Sequence, residues 1–415
     1  MKTPYLLLLL LFVTIIESCS PSVGNQVFYQ PVQKDNQANY AKYVVRIYMD
    51  KFGYYYPSTA INIDTGDFFF QHDKKTFDTD TSGGNLFAYF TKHREKINEL
   101  GSYYHVPEDK DSCKVYNLVE KAIIKAYADS IDARIRALHA DQLVFLIHGF
   151  NCSDATESFK EIRDTISSYG YDKNSHNVYV ELYWEGLQNL EVRAGSAIPI
   201  WAHAQNNSIY VGLSLRNFLR SIPDSIPLVF LSHSLGASVA TEALFNTTRK
   251  WSGAPDVNDA EELKRLIKTT PTPGHHRIRL VMLAPAIPGE MTFLDFEART
   301  PTHITAVQNN IYPIVLGYNP KDYAVSKRFL AAKVGTTTLG SNYKWHGQYE
   351  IDRVKALLVD SLGYTSTGAN NLIRAVHFTT KLQIKPLGLQ DHAVHSYLNF
   401  DPKVTHEFFD QLFKN

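Results

Sequence analysis

The feature that most constrains this chain is the run Leu143-Val144-Phe145-Leu146-Ile147, five apolar residues with no polar residue between them. A strand with one face in water alternates apolar with polar side chains, so an unbroken run needs cover on both faces, as in a parallel sheet. Further strand segments follow at Val178 to Tyr183, Leu228 to Leu231, Ile278 to Leu283, Ile311 to Leu316 and Ala375 to Phe378. The segments between them are long enough for helical crossovers. Upstream, Leu118, Ala122, Ile123, Ala126, Ile131, Ile135 and Leu138 trace a helical stripe. Ser153 to Tyr169 repeats that spacing, with Gly170 as its stop. Repeated strand–helix–strand units predict an α/β fold, a mostly parallel sheet covered by helices on both faces.

The chain divides at changes of texture. Residues 1–18 are apolar, 19–39 polar with Pro21 and Pro31, 40–115 rich in Tyr, Phe, Val and Ile, and 116–415 alternate strand with helix. The third segment reads as a β-rich extension that can supply the sheet's first strands. Its signals are Val44 to Met49, Ile61 to Ile63, and the turn Asp64-Thr65-Gly66-Asp67 before Phe68-Phe69-Phe70. Asp78-Thr79-Asp80-Thr81-Ser82-Gly83 opens like a calcium loop, but Tyr89 stands where a bidentate Glu is needed, so it reads as a polar turn. Asp401 caps and Pro402 starts a closing helix carrying Phe408, Phe409 and Leu412.

Charge narrows the partners. The chain has 42 Lys plus Arg against 42 Asp plus Glu, which disfavours nucleic acid because phosphate binding wants a basic surplus. Hydrophobic residues at 44% and charged residues at 20% exclude a disordered or collagen-like chain. Three Cys are too few for a disulfide scaffold. Cys113 and Cys152 are readable either as a pair or as two buried thiols.

Lys2 precedes an apolar run from Tyr5 to Ile16 that includes Leu6 to Leu11. Spanning a bilayer takes about 20 such residues, so the run reads as a signal-peptide core. Its end, Ile16-Glu17-Ser18-Cys19, resembles the bacterial lipobox, in which the Cys is lipidated, although Glu17 departs from the usual small residue. Ordinary cleavage near Ser18 or Ser20 is the other reading. The resemblance implies export, an anchor at Cys19, and a periplasmic or surface-facing protein tethered to a membrane by residues 19–39.

The chemistry-bearing segment follows Leu228 to Leu231. It reads Ser232-His233-Ser234-Leu235-Gly236, with a small-residue helix after it (Ala237, Ala240, Thr241, Leu244). A sharp strand-to-helix turn lifts a central Ser into a strained conformation, so flanking residues must be small. The segment resembles the nucleophile elbow of α/β-hydrolases, G-x-S-x-G, with Ser232 in the first Gly position. A partner motif, His148-Gly149-Phe150-Asn151, follows the buried strand Leu143 to Ile147. It resembles the H-G turn of the same fold, and especially a largely uncharacterised HGFN-motif subfamily. The resemblance implies backbone oxyanion donors at Phe150 and Leu235, with Gly149 and Gly236 allowing the tight turns and His148 buttressing the loop.

In α/β-hydrolases the order is Ser, acid, His, the last two following the seventh and eighth strands. Asp322 is the acid in Gly317-Tyr318-Asn319-Pro320-Lys321-Asp322-Tyr323-Ala324, and it is also readable as a solvated turn residue. Two imidazoles compete in Gln390-Asp391-His392-Ala393-Val394-His395-Ser396-Tyr397. The resemblance of His395-Ser396-Tyr397 to the subfamily's catalytic turn favours His395, with His392 as the alternative base. His275 and His276 read as surface or loop residues.

The chain departs from the subfamily at Ala284-Pro285-Ala286-Ile287-Pro288, which lacks an acid, and at Tyr183-Trp184-Glu185-Gly186, where Trp-Pro-Ser is common. Residues 185–226 read as a covering helix or as a cap; either gives Trp184 and Trp201 access to an apolar group. The resemblance implies serine hydrolysis of an acyl bond in a small or lipid-like substrate, most simply a carboxylic ester, with no cofactor or metal. An amidase, peptidase or acyltransferase, and a catalytically idle anchored scaffold, remain alternatives. The sequence does not fix the oligomeric state.

Overall fold

The apolar runs become one sheet. The computed structural model describes residues 23–24, 42–57, 86–150, 155–171, 177–184, 186, 188–189, 197–245, 266, 276–294, 311–322, 324–326, 337–345, 347–361, 363–379 and 392–413. Among these, seven strands form the main sheet: β1 (Val44–Met49), β2 (Gln142–Ile147), β3 (Asn177–Trp184), β4 (Leu228–His233), β5 (Ile278–Leu283), β6 (Ile311–Tyr318) and β7 (Ile373–His377). Their spatial order is β7-β6-β5-β4-β2-β3-β1, and every adjacent pair is parallel. All residues of β2 and β3 are buried, so the apolar run Leu143 to Ile147 has cover on both faces. Phe145 and Phe230, in register on β2 and β4, stack with ring centroids 4.7 Å apart. The fold is therefore α/β, with a parallel sheet flanked by helices, an architecture compatible with an α/β-hydrolase.

Parallel strands place all carboxyl ends at one edge of the sheet. From β2 the chain steps outward to β3, whereas β4 lies on the opposite side of β2. The strand order thus reverses between β2 and β4, and the crevice at such a reversal is where α/β sheets bind ligands.

One charged residue sits inside β3. Glu181 is fully buried and is paired with Arg46 of β1, whose Nε lies 2.6 Å from Oε2, and with Arg163. Tyr183 Oη also donates to it, at 3.2 Å. Two cations and a hydroxyl on one carboxylate offset the desolvation that a lone buried charge could not bear.

The region 40–115, in its described part from residue 86 onward, is helical, not stranded. Its described residues supply β1 and then helices α1 (Leu86–Lys92) and α2 (Arg94–Tyr103), and α3 (Ser112–Leu138) begins inside it. The reason is periodicity: Leu86, Tyr89 and Phe90, then Ile97, Leu100 and Gly101, recur at three and four residues and bury one helical face. Asp111 caps α3 by accepting from the amides of Cys113 and Lys114. The strands and hairpin expected at 61–70 and the turn at 78–83 lie outside the described residues, as do the signal run, Cys19 and most of the tether.

Asp50, immediately after β1, is fully buried. Its Oδ1 accepts from the amides of Phe52 and Tyr54 at 2.9 Å each, and its Oδ2 from Leu86 at 2.7 Å. Burial raises its pKa to about 7 against the opposing pull of those three amides. Gly53 has φ +78°, and a Cβ there would lie 2.6 Å from that of Ser214, so only glycine fits.

Helix α4 (Thr156–Ser168) lies within the expected Ser153 to Tyr169 and ends before Gly170. Helix α5 (Ala197–Leu219) lies along α6 (Gly236–Leu244) as a covering helix. Arg216 of α5 donates to the carbonyls of Ala243 and Glu242, at 2.9 and 2.8 Å, and to that of Phe245, closing the carboxyl end of α6. Near the C-terminus lie α8 (Glu350–Asp360), α9 (Ser366–Leu372), α10 (Val394–Leu398) and α11 (Pro402–Phe413), the short α7 (Gly289–Leu294) preceding them. Asp401 Oδ1 caps α11 through the Lys403 and Val404 amides, as expected. His276, expected at the surface, is instead buried, with Nε2 3.0 Å from the Leu219 carbonyl, because it leads directly into β5. Cys113 is an exposed free thiol, and Cys152 and His275 lie outside the described residues. No described helix is long and apolar enough to cross a membrane.

Candidate active site

Strand β4 ends at His233 and helix α6 begins at Gly236, leaving two residues to reverse the chain. Ser234 takes the strain, with φ +54°, a conformation that costs a non-glycine residue about 1–2 kcal/mol. Three backbone hydrogen bonds hold it there. The Ser234 amide donates to Leu283, and its carbonyl accepts from Ala237 and Ala286, all at 3.0–3.1 Å. Ser232 needs no glycine, since its φ is not positive, and its Oγ donates to the Val281 carbonyl at 3.3 Å.

The turn after β2 presses against this elbow. A Cβ on Gly149 would lie 2.6 Å from Ser234 Cβ, and one on Gly236 would lie 2.5 Å from the His148 carbonyl oxygen. These two glycines are what allows the two strand ends to approach. His148 is buried and spends both ring nitrogens on structure. Nε2 accepts from the Trp184 amide at 3.1 Å, so Nδ1 carries the proton and donates to the Gly149 carbonyl at 2.8 Å. Trp184 answers by donating from Nε1 to the His148 carbonyl at 2.8 Å. These bonds fasten the turn after β2 to the end of β3. Trp184 is fully buried among these contacts. Trp201 of α5 meets the half-buried Phe150 edge to face, at 4.9 Å. Among the described residues none accepts a hydrogen bond from the amide of Phe150 or Leu235. Asn151 lies outside the described residues.

Asp322 follows β6 in a turn opened by Asn319, whose side chain accepts from the Lys321 amide at 3.0 Å and whose carbonyl accepts from the Asp322 amide. It is not a solvated turn residue, because its side chain is only 2% exposed. Its Oδ2 lies 2.7 Å from His392 Nδ1 and accepts from Tyr397 Oη at 2.6 Å, while Oδ1 accepts from the Ala324 amide at 2.9 Å. Burial works to raise the pKa of this carboxyl. The nearby His392 and the three donors outweigh it and hold the group below the usual carboxylate range.

The imidazole beside the acid is therefore His392, not His395. His395 lies in the first turn of α10, 76% exposed, with Nδ1 2.7 Å from Glu161 of α4, an oxygen it shares with Asn399. A helix puts residues four apart on one face, which sends 395 and 399 together towards α4. Residue 397 leaves from nearly the opposite side and reaches Asp322. His392 precedes the helix and is free of that constraint.

Two site residues carry no role in the sequence reading. His233 Nε2 donates to the His392 carbonyl at 2.7 Å, and the two rings lie 4.8 Å apart. This contact ties the segment bearing His392 to the residue preceding Ser234. Burial, with the neighbouring His392, pushes the His233 pKa down to about 3, leaving a neutral ring whose Nε2 hydrogen is committed. Tyr397 is the other. Both stand inside the quoted motifs, so their positions were legible although their contacts were not.

Among the described residues, no three His, Cys, Asp or Glu side chains are grouped to hold a metal ion. The class defined by fold and site is an α/β protein with a positive-φ serine and a buried carboxylate–imidazole pair at the same sheet edge. The chain matches no known family model, and no curated protein or solved structure proved similar to it.

Proposed function

We propose that this chain is a serine hydrolase that cleaves an acyl bond, most simply that of a carboxylic ester. The supporting observation is the Asp322–His392 pair at the sheet edge that carries Ser234 at φ +54°, with His233 joining the two segments. Ser234 Oγ attacks the substrate carbonyl carbon while His392 Nε2 takes its proton. Asp322 accepts from Nδ1, which fixes the tautomer that leaves Nε2 available. The Phe150 and Leu235 amides donate to the developing oxyanion, each worth about 3 kcal/mol where such donors have been removed. The C–O bond to the alcohol then breaks, and His392 returns the proton to the departing oxygen. Water, deprotonated by His392, attacks the acyl-enzyme, and Ser234 leaves with its proton restored. The features of residues 1–19 add export and a lipid anchor at Cys19 of a bacterial membrane protein, with an apolar acyl group meeting Phe150 and Trp201.

Labelling of the full chain with a fluorophosphonate probe tests this. Wild type and His395→Ala are expected to label, whereas Ser234→Ala and His392→Ala are not. A folded wild-type protein that never labels removes the proposal. p-Nitrophenyl esters of increasing acyl length, set against peptide substrates, then separate an esterase from an amidase.

A further inference from the structure

Tyr397 is fully buried on α10, yet it brings its hydroxyl to the same Asp322 oxygen that meets His392. We propose that Tyr397 is a positioning residue of the site, holding Asp322 in the rotamer that receives His392 and taking up part of its charge. The inference rests on the serine-hydrolase reading for its catalytic consequence, though not for its geometry.

The argument begins with donor count. Asp322 Oδ1 is held by one amide, that of Ala324 two residues along the same loop. That bond leaves the carboxylate free to turn about its own loop, and a second fixed donor is needed to orient Oδ2. Tyr397 supplies it from a separate element, and its ring packs against Phe378, just past the end of β7, with centroids 5.3 Å apart. A buried phenol aimed at a carboxylate makes a short charge-assisted bond. Two donors on one oxygen also divide its negative charge, so the pull on the imidazole is weaker than that of an undivided carboxylate. The side chain earns its place twice, as strut and as moderator.

Tyr397→Phe removes only the hydroxyl and keeps the ring packing. Without it Asp322 keeps one loop amide on Oδ1, and the full charge of Oδ2 falls on the bond to His392 Nδ1. For a soluble ester, kcat is expected to fall about fivefold with KM unchanged. The proton between His392 Nδ1 and Asp322 is expected to move downfield in the ¹H NMR spectrum, a readout that needs no turnover. A residue that merely packs would lower Tm and leave the proton where it was. An unmoved proton in folded Tyr397→Phe overturns the inference, even if Ser234 labels normally. Failure of the wild type to label overturns the hydrolase reading instead, and a shifted proton would then still establish the contact.

Discussion

Asp50 and Asp322 are two buried carboxylates at the carboxyl ends of strands, and they have opposite fates. Burial pushes both towards the neutral acid. Asp50 is met mainly by three backbone amides, with Lys51 a lesser influence, and its pKa stands at about 7. Asp322 is met by an imidazole, a phenol and one amide, and its pKa falls below the ordinary value. Amides satisfy an oxygen but carry no exchangeable charge, whereas an imidazole can take a proton. The first arrangement fixes a chain; the second can take part in chemistry.

Substituting each acid separates these roles. Asp322→Asn is expected to cut the rate of Ser234 labelling by about 10⁴, because the amide would favour the wrong tautomer of His392. Equal labelling by this variant would erase the distinction. Asp50→Ala should leave the labelling rate per folded molecule intact and lower stability by roughly 3 kcal/mol, since three buried donors lose their acceptor. Urea unfolding measures it.

The pH dependence of stability sharpens the same contrast. For Asp50 the folded-state pKa lies above the unfolded one, so its contribution is full below about pH 4 and is lost as pH rises to about 7. For Asp322 the folded value is lower, so its contribution is present above the ordinary carboxylate range and is lost as pH falls through the folded value. Asp50→Ala is expected to flatten the decline between pH 4 and 7 in a series of unfolding curves, and Asp322→Asn to flatten only the acid side. The smallest effect expected is that of His395→Ala, within about 0.5 kcal/mol, because its pair with Glu161 is exposed.

What was legible in the chain follows from how local each cause is. The buried strands were readable because cover on both faces forces apolar runs, and Val44–Met49, Ile278–Leu283 and the Asp401 cap fell where expected. The elbow was readable because the clash that demands small neighbours lies within five residues. The base was not. His392 and His395 are three residues apart, and choosing between them depends on where α10 begins and which of its faces meets α4. The spacing of His395 and Asn399 was the available signal. The Asp322–Tyr397 and His233–His392 contacts span 75 and 159 residues, so only the folded chain assembles them.

The Asp50–Leu86 contact brings together two points separated by 36 residues. The Asp50 carboxylate thus acts as a clasp, tying the end of β1, which runs in register with β3, to the first residue of α1.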